Sequence, residues 1–343
     1  MQLPRSVVIG HGVLSEAGKV CKGLKLSGLA VVVTGPTTKY TAGKRVYQIL
    51  SDEGYDVNMI EVKSTNDYDI EEVKILTQKT KARFMLGVGG GKSIDVAKFV
   101  SNELDMPFLS IPTAASHDGI ASFLASIKQN GKSVSVPVQA PLGIVADTEI
   151  ISSAPKRLMA AGCGDIISNY TAVKDWVLAA KLRNERYSEY AAALSDMTAK
   201  IIVDNSNSIK PSLDESVRTV VKALVSSGVA MSIAGSSRPA SGSEHKFSHA
   251  LDLICEKPAL HGEQCGVGTI MMMYLHDGNW QSIRNSLRVI GAPTNAKELN
   301  IKEEDIIWAL IHAHEIKPER YSVLGPGLTE SAAENLAYET NVI

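Results

Sequence analysis

What this chain of 343 residues lacks narrows its class first. It lacks net charge: 35 basic against 37 acidic residues leave −2, so electrostatics selects neither a nucleic acid nor an anionic membrane surface as partner. No apolar run approaches the roughly 20 residues that span a bilayer, so no transmembrane segment is expected. The opening Met1-Gln2-Leu3-Pro4-Arg5-Ser6 lacks a signal-peptide core. Cysteine is scarce, with four residues at 21, 163, 255 and 265 and no Cys-x-x-Cys pair. That excludes a disulfide scaffold at this size. The thiols read as small buried packing residues, although Cys163, Cys255 and Cys265 flank an acid and histidines of interest. A reducing, cytoplasmic compartment fits. The length allows two domains, and 44% hydrophobic with 21% charged residues is ordinary for a globular chain.

What is present begins with an alternating rhythm. Leu29–Gly35, Tyr55–Val62, Phe84–Val88 and Pro107–Pro112 read as strands, and Thr41–Glu53, Ile70–Thr80 and Ser93–Glu103 as helices between them. Such β-α-β-α order predicts a parallel, Rossmann-like sheet with helices on both faces. The character changes between Asp147 and Pro155. Beyond it helical patterns dominate, at Leu158–Ala180, Tyr187–Ser206, Leu213–Ala230, Glu244–Leu253, Gly266–Leu275 and Glu303–His314. The expectation is a dinucleotide-binding α/β domain over 1–150 and an all-helical metal- and substrate-binding domain over 151–343, with the active site in the cleft between them.

Two constellations carry chemistry. Gly89-Gly90-Gly91-Lys92-Ser93 follows a hydrophobic strand and opens a helix that Ser93 is placed to cap. Its spacing is neither G-x-G-x-x-G nor a Walker P-loop, but three glycines there let backbone N–H groups approach a pyrophosphate. The turn Thr34–Lys39 carries no acid, and its Lys39 tolerates the extra phosphate of NADPH. The second constellation is Asp165, in Gly162-Cys163-Gly164-Asp165, with His245 and His249 four residues apart and His261. Ser241-Gly242-Ser243-Glu244 fits a capping box, starting a helix that puts His245 and His249 on one face. A carboxylate and two imidazoles with one position open form the ligand set of a catalytic divalent metal, suiting zinc, with iron or nickel as alternatives. His11, His276, His312 and His314 read as surface or satisfied core residues. His117-Asp118-Gly119 lies in the loop leaving the fourth strand, where catalytic groups gather in parallel sheets, and Asp118 there suits a substrate hydroxyl or a proton relay. Arg238, Lys246 and His117 are unranked candidates for cations that would meet a substrate phosphate.

In this order the pieces resemble the superfamily of iron-containing alcohol dehydrogenases and glycerol dehydrogenases, which also takes in dehydroquinate synthase. Gly89-Gly90-Gly91-Lys92-Ser93-Ile94-Asp95-Val96-Ala97-Lys98 is similar to its Gly-Gly-Gly-Ser-x-x-Asp-x-Ala-Lys motif, with Lys92 inserted. Pro112–Ser122, Ser241–His245 and Leu260–Gln264 resemble its archaeal sn-glycerol-1-phosphate dehydrogenase branch most. The resemblance covers nearly the whole chain and implies a dehydroquinate synthase-like fold.

It implies one zinc ion per subunit held by Asp165, His245 and His261, with Asp118, Asp165 and His249 at the substrate. It further implies NAD(H) or NADP(H) against Gly89, Gly90, Gly91, Lys92, Ser93, Ile94, Asp95, Thr113, Ala114, Ala115, Ser116 and Ser122, and a homo-oligomer, dimer or octamer. The reaction implied reduces dihydroxyacetone phosphate to sn-glycerol 1-phosphate for archaeal ether phospholipids. Iron-dependent members carry a further His four residues after the metal Asp. Here that position is Asn169, which favours zinc. The competitors are a polyol dehydrogenase acting on unphosphorylated glycerol, a dehydroquinate synthase-like cyclase that uses NAD transiently, and a non-catalytic metal and nucleotide binder.

Overall fold

A computed structural model describes residues 1–129 and 132–343. The chain forms two compact units, Met1–Pro155 with Pro211–Ser232, and Lys156–Lys210 with Ile233–Ile343.

The first unit is built on a six-stranded, all-parallel sheet. Its strands are β1 (Ser6–Gly10), β2 (Ala30–Thr34), β3 (Val57–Glu61), β4 (Phe84–Gly89), β5 (Phe108–Pro112) and, after a hairpin of β6 (Leu124–Gln129) and β7 (Lys132–Pro137), β8 (Gly143–Asp147). The spatial order is β1-β8-β5-β4-β2-β3. β2, β4, β5 and β8 are buried throughout, as strands covered on both faces must be, and their β-branched and aliphatic runs supply the core with Val32, Leu86, Val88, Leu109 and Val145. β1, β8 and the β6–β7 hairpin are absent from the sequence reading. β1 and β8 find one another across more than a hundred residues of chain. The chain runs from β2 outward to β3, then returns to the other side of β2 for β4. This reversal is a topological switch point, where the loops after β2 and β4 open a crevice.

The second unit is helical. The segment expected as one helix from Leu158 to Ala180 is two, Lys156–Ile167 and Asn169–Arg183. Ser168 separates them, its hydroxyl donating to the Asp165 carbonyl at 2.6 Å. Trp280–Ile290 and Glu330–Glu339 are further helices beyond the sequence reading. The first carried legible signals: the Asn279 side chain accepts from the Ser282 N–H at 3.0 Å, and Gly291 ends the helix at φ 89°.

One helix is unusually apolar for its length. Asp214–Ala234 has 21 residues, and an 18-residue window of it has a mean hydropathy of 1.4, long and apolar enough by length and composition to cross a membrane. Its apolar residues Val217, Val220, Val221 and Leu224 are spent on packing, all fully buried in the protein.

Candidate functional site

At the switch point, Gly89 sits at φ 157° and Gly90 is extended, so the helix Gly91–Glu103 starts with Gly90 as its N-cap and no side-chain cap. Ser93 is therefore inside the first turn rather than capping it. The first intrahelical bond runs from Ile94 N–H to Gly90 C=O at 3.2 Å. The N–H groups of Gly91, Lys92 and Ser93 have no acceptor within the helix, which makes an anion cradle. The geometry demands glycine. A Cβ on Gly89 would lie 2.8 Å from Ser93 Oγ and 2.9 Å from Thr38 Oγ1, so the loops after β2 and β4 touch here. A Cβ on Gly90 would meet nothing within 4 Å, leaving room for a ligand.

Thr113, Ala114, Ala115 and Ser116 follow β5 directly beside this turn, with Thr113 N–H donating to Gly89 C=O at 2.9 Å. Ser122 is buried under Gly228 of the Asp214–Ala234 helix. Lys39 pairs with Glu61 at the end of β3 (2.6 Å), an acid the sequence reading of this turn did not include.

His117 corrects a second expectation. Its Nδ1 accepts from Gly119 N–H at 3.0 Å, and its ring fills the space left open by Gly91 and Gly119. Burial pushes its pKa below the usual imidazole range, so at neutral pH it is no cation for a phosphate. Lys98 is fully buried, donating to Gly119 C=O and Leu124 C=O at 2.6 Å each, with Asp95 3.7 Å away. Asp118 Oδ2 accepts from Ser227 Oγ at 2.9 Å. Burial raises its pKa to about 6, against the opposing effects of that hydrogen bond and of Lys98.

The second unit gathers Asp165, His245 and His261, and adds Cys265, which the sequence reading left as packing. One ligand atom from each lies within 4.8 Å of all the others. Asp165 Oδ1 is 3.9 Å from His245 Nε2 and 3.7 Å from His261 Nε2, and Cys265 Sγ is 3.6 Å from His261 Nε2. Tetrahedral zinc with bonds of about 2.0–2.3 Å spaces its donors about 3.3–3.8 Å apart, close to the separations of Asp165 from the two imidazoles.

Small residues make the convergence possible. The helices Lys156–Ile167 and His261–Leu275 meet so closely that a Cβ on Gly262 would lie 2.0 Å from Ala161 O, and one on Gly164 would lie 2.3 Å from Gly262 O. Arg157 clamps the same pair of helices, donating from Nε and Nη2 to the two Glu263 oxygens at 2.6 and 2.7 Å.

Partners behind the imidazoles orient them. Glu244 Oε1 lies 2.9 Å from His245 Nδ1, which turns Nε2 toward Asp165. Glu244 is fully buried and also accepts from Gly242 N–H (2.6 Å) and Thr171 Oγ1 (2.7 Å). Burial, then the nearby Asp175, raises its pKa to about 8. The expected capping box is thus not formed: the helix starts at Ser243, and Glu244 is turned toward His245 instead. Ser248 Oγ lies 3.1 Å from His261 Nδ1, again leaving Nε2 toward Asp165. Burial first, then the charges of His261 and His249, hold His245 well below the usual imidazole range, in the neutral form a metal requires. Asn169, at the place of the missing imidazole, is buried and donates to Thr198 Oγ1 at 3.0 Å.

His249 stands one turn beyond His245 and lines a pocket with Arg238, Lys246, Lys317 and Arg320. Lys317 and Arg320 escaped the sequence reading. They lie some 70 residues past the histidines, and the only local signal is Lys317-Pro318-Glu319-Arg320, a turn with proline second. Arg238, an expected phosphate cation, is instead paired with both Glu185 oxygens and donates to Tyr321 C=O at 2.8 Å. His276 is a satisfied core residue, 3.0 Å from Asp175. His312 has an acid at reach after all, Glu315 at 3.0 Å, on the surface.

Comparison with known proteins extends over the whole chain. A family model described as iron-containing alcohol dehydrogenase matches residues 8–155. A glycerol-1-phosphate dehydrogenase (NAD(P)+) of Methanosarcina acetivorans is 62% identical, covering 100% of this chain and 96% of its own length. One from Methanothermobacter thermautotrophicus is 56% identical over 100% of this chain and 99% of its own. Among solved structures, a glycerol dehydrogenase from Schizosaccharomyces pombe superposes with a TM-score of 0.83 at 19% identity, covering 99% of this chain and 90% of that one. A sulfoacetaldehyde reductase from Bifidobacterium kashiwanohense in complex with NAD+ gives 0.78 at 17% identity, covering 98% and 97%. At such identities these two share the fold.

Proposed function

The chain belongs to the glycerol-1-phosphate dehydrogenase family, among the iron-containing alcohol dehydrogenases, and from that premise we propose that it reduces dihydroxyacetone phosphate to sn-glycerol 1-phosphate with NADH or NADPH, supplying ether-phospholipid synthesis. The observation that carries this reading is the Asp165–His245–His261 group in one unit with a pocket lined by basic side chains. A zinc ion held by these three residues would supply Lewis acidity to the substrate carbonyl, and bound nicotinamide its hydride.

The chain's own residues do the rest. Glu244 and Ser248 hold the two imidazoles with Nε2 inward, so the donor set is oriented before any ligand arrives. His249, with Nδ1 3.7 Å from Asp252 Oδ2, passes the proton to the new hydroxyl: a carboxylate beside Nδ1 favours a proton on that nitrogen, which leaves Nε2 as the atom that takes up a proton and hands it on. Asp118, with a pKa near 6, accepts a hydrogen bond from a substrate hydroxyl at neutral pH. The free N–H groups from Gly91 to Ser93 receive the pyrophosphate of the dinucleotide, and Thr113–Ser116 flank it. Asp95 and Lys98, both buried, brace this floor from beneath.

The test is oxidation of NADH and of NADPH with dihydroxyacetone phosphate beside unphosphorylated dihydroxyacetone, with the product assayed for handedness. Preference for the phosphorylated ketone and sn-glycerol 1-phosphate as product support the proposal. Equal or better turnover of dihydroxyacetone would assign the chain to polyol chemistry instead.

A further inference from the structure

Building on that reading, we infer that the turn Lys317-Pro318-Glu319-Arg320 is the seat of the substrate's phosphate, with Lys317 and Arg320 as its two cations. A phosphate monoester is held by donors whose charge is not already neutralised. Four cations line the pocket beside His245 and His249, and two of them are committed elsewhere. Arg238 is 2% exposed and engaged by Glu185 and the Tyr321 carbonyl. Lys246 is 6% exposed and its ammonium donates to the Arg320 carbonyl at 2.7 Å, so it braces the turn.

Lys317 and Arg320 remain. Both are half-buried in the pocket wall, and among the described residues neither is in an ion pair; Arg320 makes one long hydrogen bond, from Nη1 to the Ser241 carbonyl at 3.5 Å, which leaves its other donors for a ligand. Glu319 between them is exposed, and Glu185, whose charge also reaches Arg320, is itself paired with Arg238.

The backbone holds the two cations together. Arg320 N–H donates to Lys317 C=O at 2.9 Å, closing a turn in which Pro318 fixes the second position. Lys317 itself sits at φ 49°, a left-handed conformation that lysine rarely adopts and that is retained where the surroundings impose it. Burial lowers the pKa of both side chains, and the next influence on Lys317 is the charge of Arg320. Two like charges pressed together out of water favour a doubly charged anion between them. Both line one pocket with His245, a member of the metal group, so a phosphate held by them belongs to a molecule that also reaches that group.

The same phosphate chemistry could come from the 2′-phosphate of NADPH, and the experiment separates the two. Lys317→Met, Arg320→Met and the charge-preserving Arg320→Lys are compared with wild type on dihydroxyacetone phosphate and on dihydroxyacetone, with NADH and with NADPH. Inorganic phosphate serves as a competitive inhibitor and zinc content as the check on folding. Each Met variant is expected to lower the ratio of kcat/KM for the phosphorylated over the unphosphorylated ketone by about 10- to 100-fold, through KM, with either coenzyme. It should weaken inhibition by inorganic phosphate in the same measure and keep its zinc. Arg320→Lys should recover most of the preference.

A preference undiminished in both Met variants overturns the inference, as does a loss confined to the KM for NADPH. A wild type without any preference for the phosphorylated ketone overturns the functional proposal itself, and so is distinguished from failure of the phosphate seat.

Discussion

Replacing Gly262 by alanine tests how the metal group is assembled. Its new Cβ would lie 2.0 Å from Ala161 O, whereas a tolerable contact needs about 3.2 Å, so the helices Lys156–Ile167 and His261–Leu275 must separate by about 1.2 Å (3.2 − 2.0). Asp165 rides on the first helix and His261 opens the second, with 3.7 Å between their ligand atoms. Metal–ligand bonds tolerate only about 0.2 Å, so a shift of that size removes one ligand from reach of the other two.

The expected result is a loss of zinc affinity of about 100-fold or more, with overpacking costing about 1–3 kcal/mol of stability. Zinc affinity is read by competition with a chromogenic chelator, and stability by thermal unfolding of the metal-free protein. Gly23→Ala is the control: it ends a surface helix, and its Cβ would meet nothing within 4 Å, so it should leave both quantities unchanged or slightly raise stability. A Gly262→Ala protein with wild-type zinc affinity would refute the claim that this helix contact sets the spacing of the ligands.

Three further perturbations have defined outcomes. Glu244→Gln keeps an oxygen for Gly242 N–H and His245 Nδ1 but removes a carboxyl that, with a pKa near 8, ionises behind the imidazole once a cation binds in front of it, so zinc affinity should fall about 10- to 100-fold with little change in metal-free stability; an unchanged affinity in chelator competition would contradict the orienting role. Asp118 has its folded pKa raised from 3.8 to about 6, so the cost of ionising it in place appears as pH rises from about 4 to 6 and persists above. Asp118→Asn should therefore stabilise the protein by up to about 3 kcal/mol at pH 7, at about 1.4 kcal/mol per pKa unit, with no gain at pH 3.5; an equal effect at both pH values in denaturant titrations would rule out the titration. Gly91→Ala drives a Cβ to within 2.3 Å of His117 Nε2 in the floor of the cradle, so KM for NADH and NADPH should both rise while zinc content stays; unaltered coenzyme KM values would exclude this turn as the pyrophosphate site.

The legible parts of the fold were those with dense local signals. β2, β4 and β5 are continuous buried runs closed by turns, and the three glycines after β4 announce a close backbone approach. β1 and β8 escaped because they pair with each other across more than a hundred residues and no helix pattern links them as neighbours in sequence. The convergence of Asp165, His245 and His261 was legible from residue type, because few other roles bring a glycine-flanked acid and helix-borne histidines together. Cys265 was not: one turn after His261, a cysteine looks like core until the facing helix is in place. The Ser-x-x-Glu pattern at Ser241–Glu244 marked a helix start correctly but mistook the destination of Glu244, since the pull of His245 and Thr171 is a tertiary effect. Lys317 and Arg320 carried no signal beyond a turn, because a basic residue in a loop reveals nothing until the pocket around it is closed.

The most direct test of the central claim is removal and return of the metal. NAD(P)H oxidation with dihydroxyacetone phosphate is followed in the protein as purified, after exhaustive chelation, and after adding back one equivalent of zinc, in wild type and in Asp165→Asn. The account predicts activity lost on chelation and restored by zinc in wild type, and neither zinc retention nor restoration in Asp165→Asn. Full activity in the chelated, demonstrably zinc-free protein would contradict it.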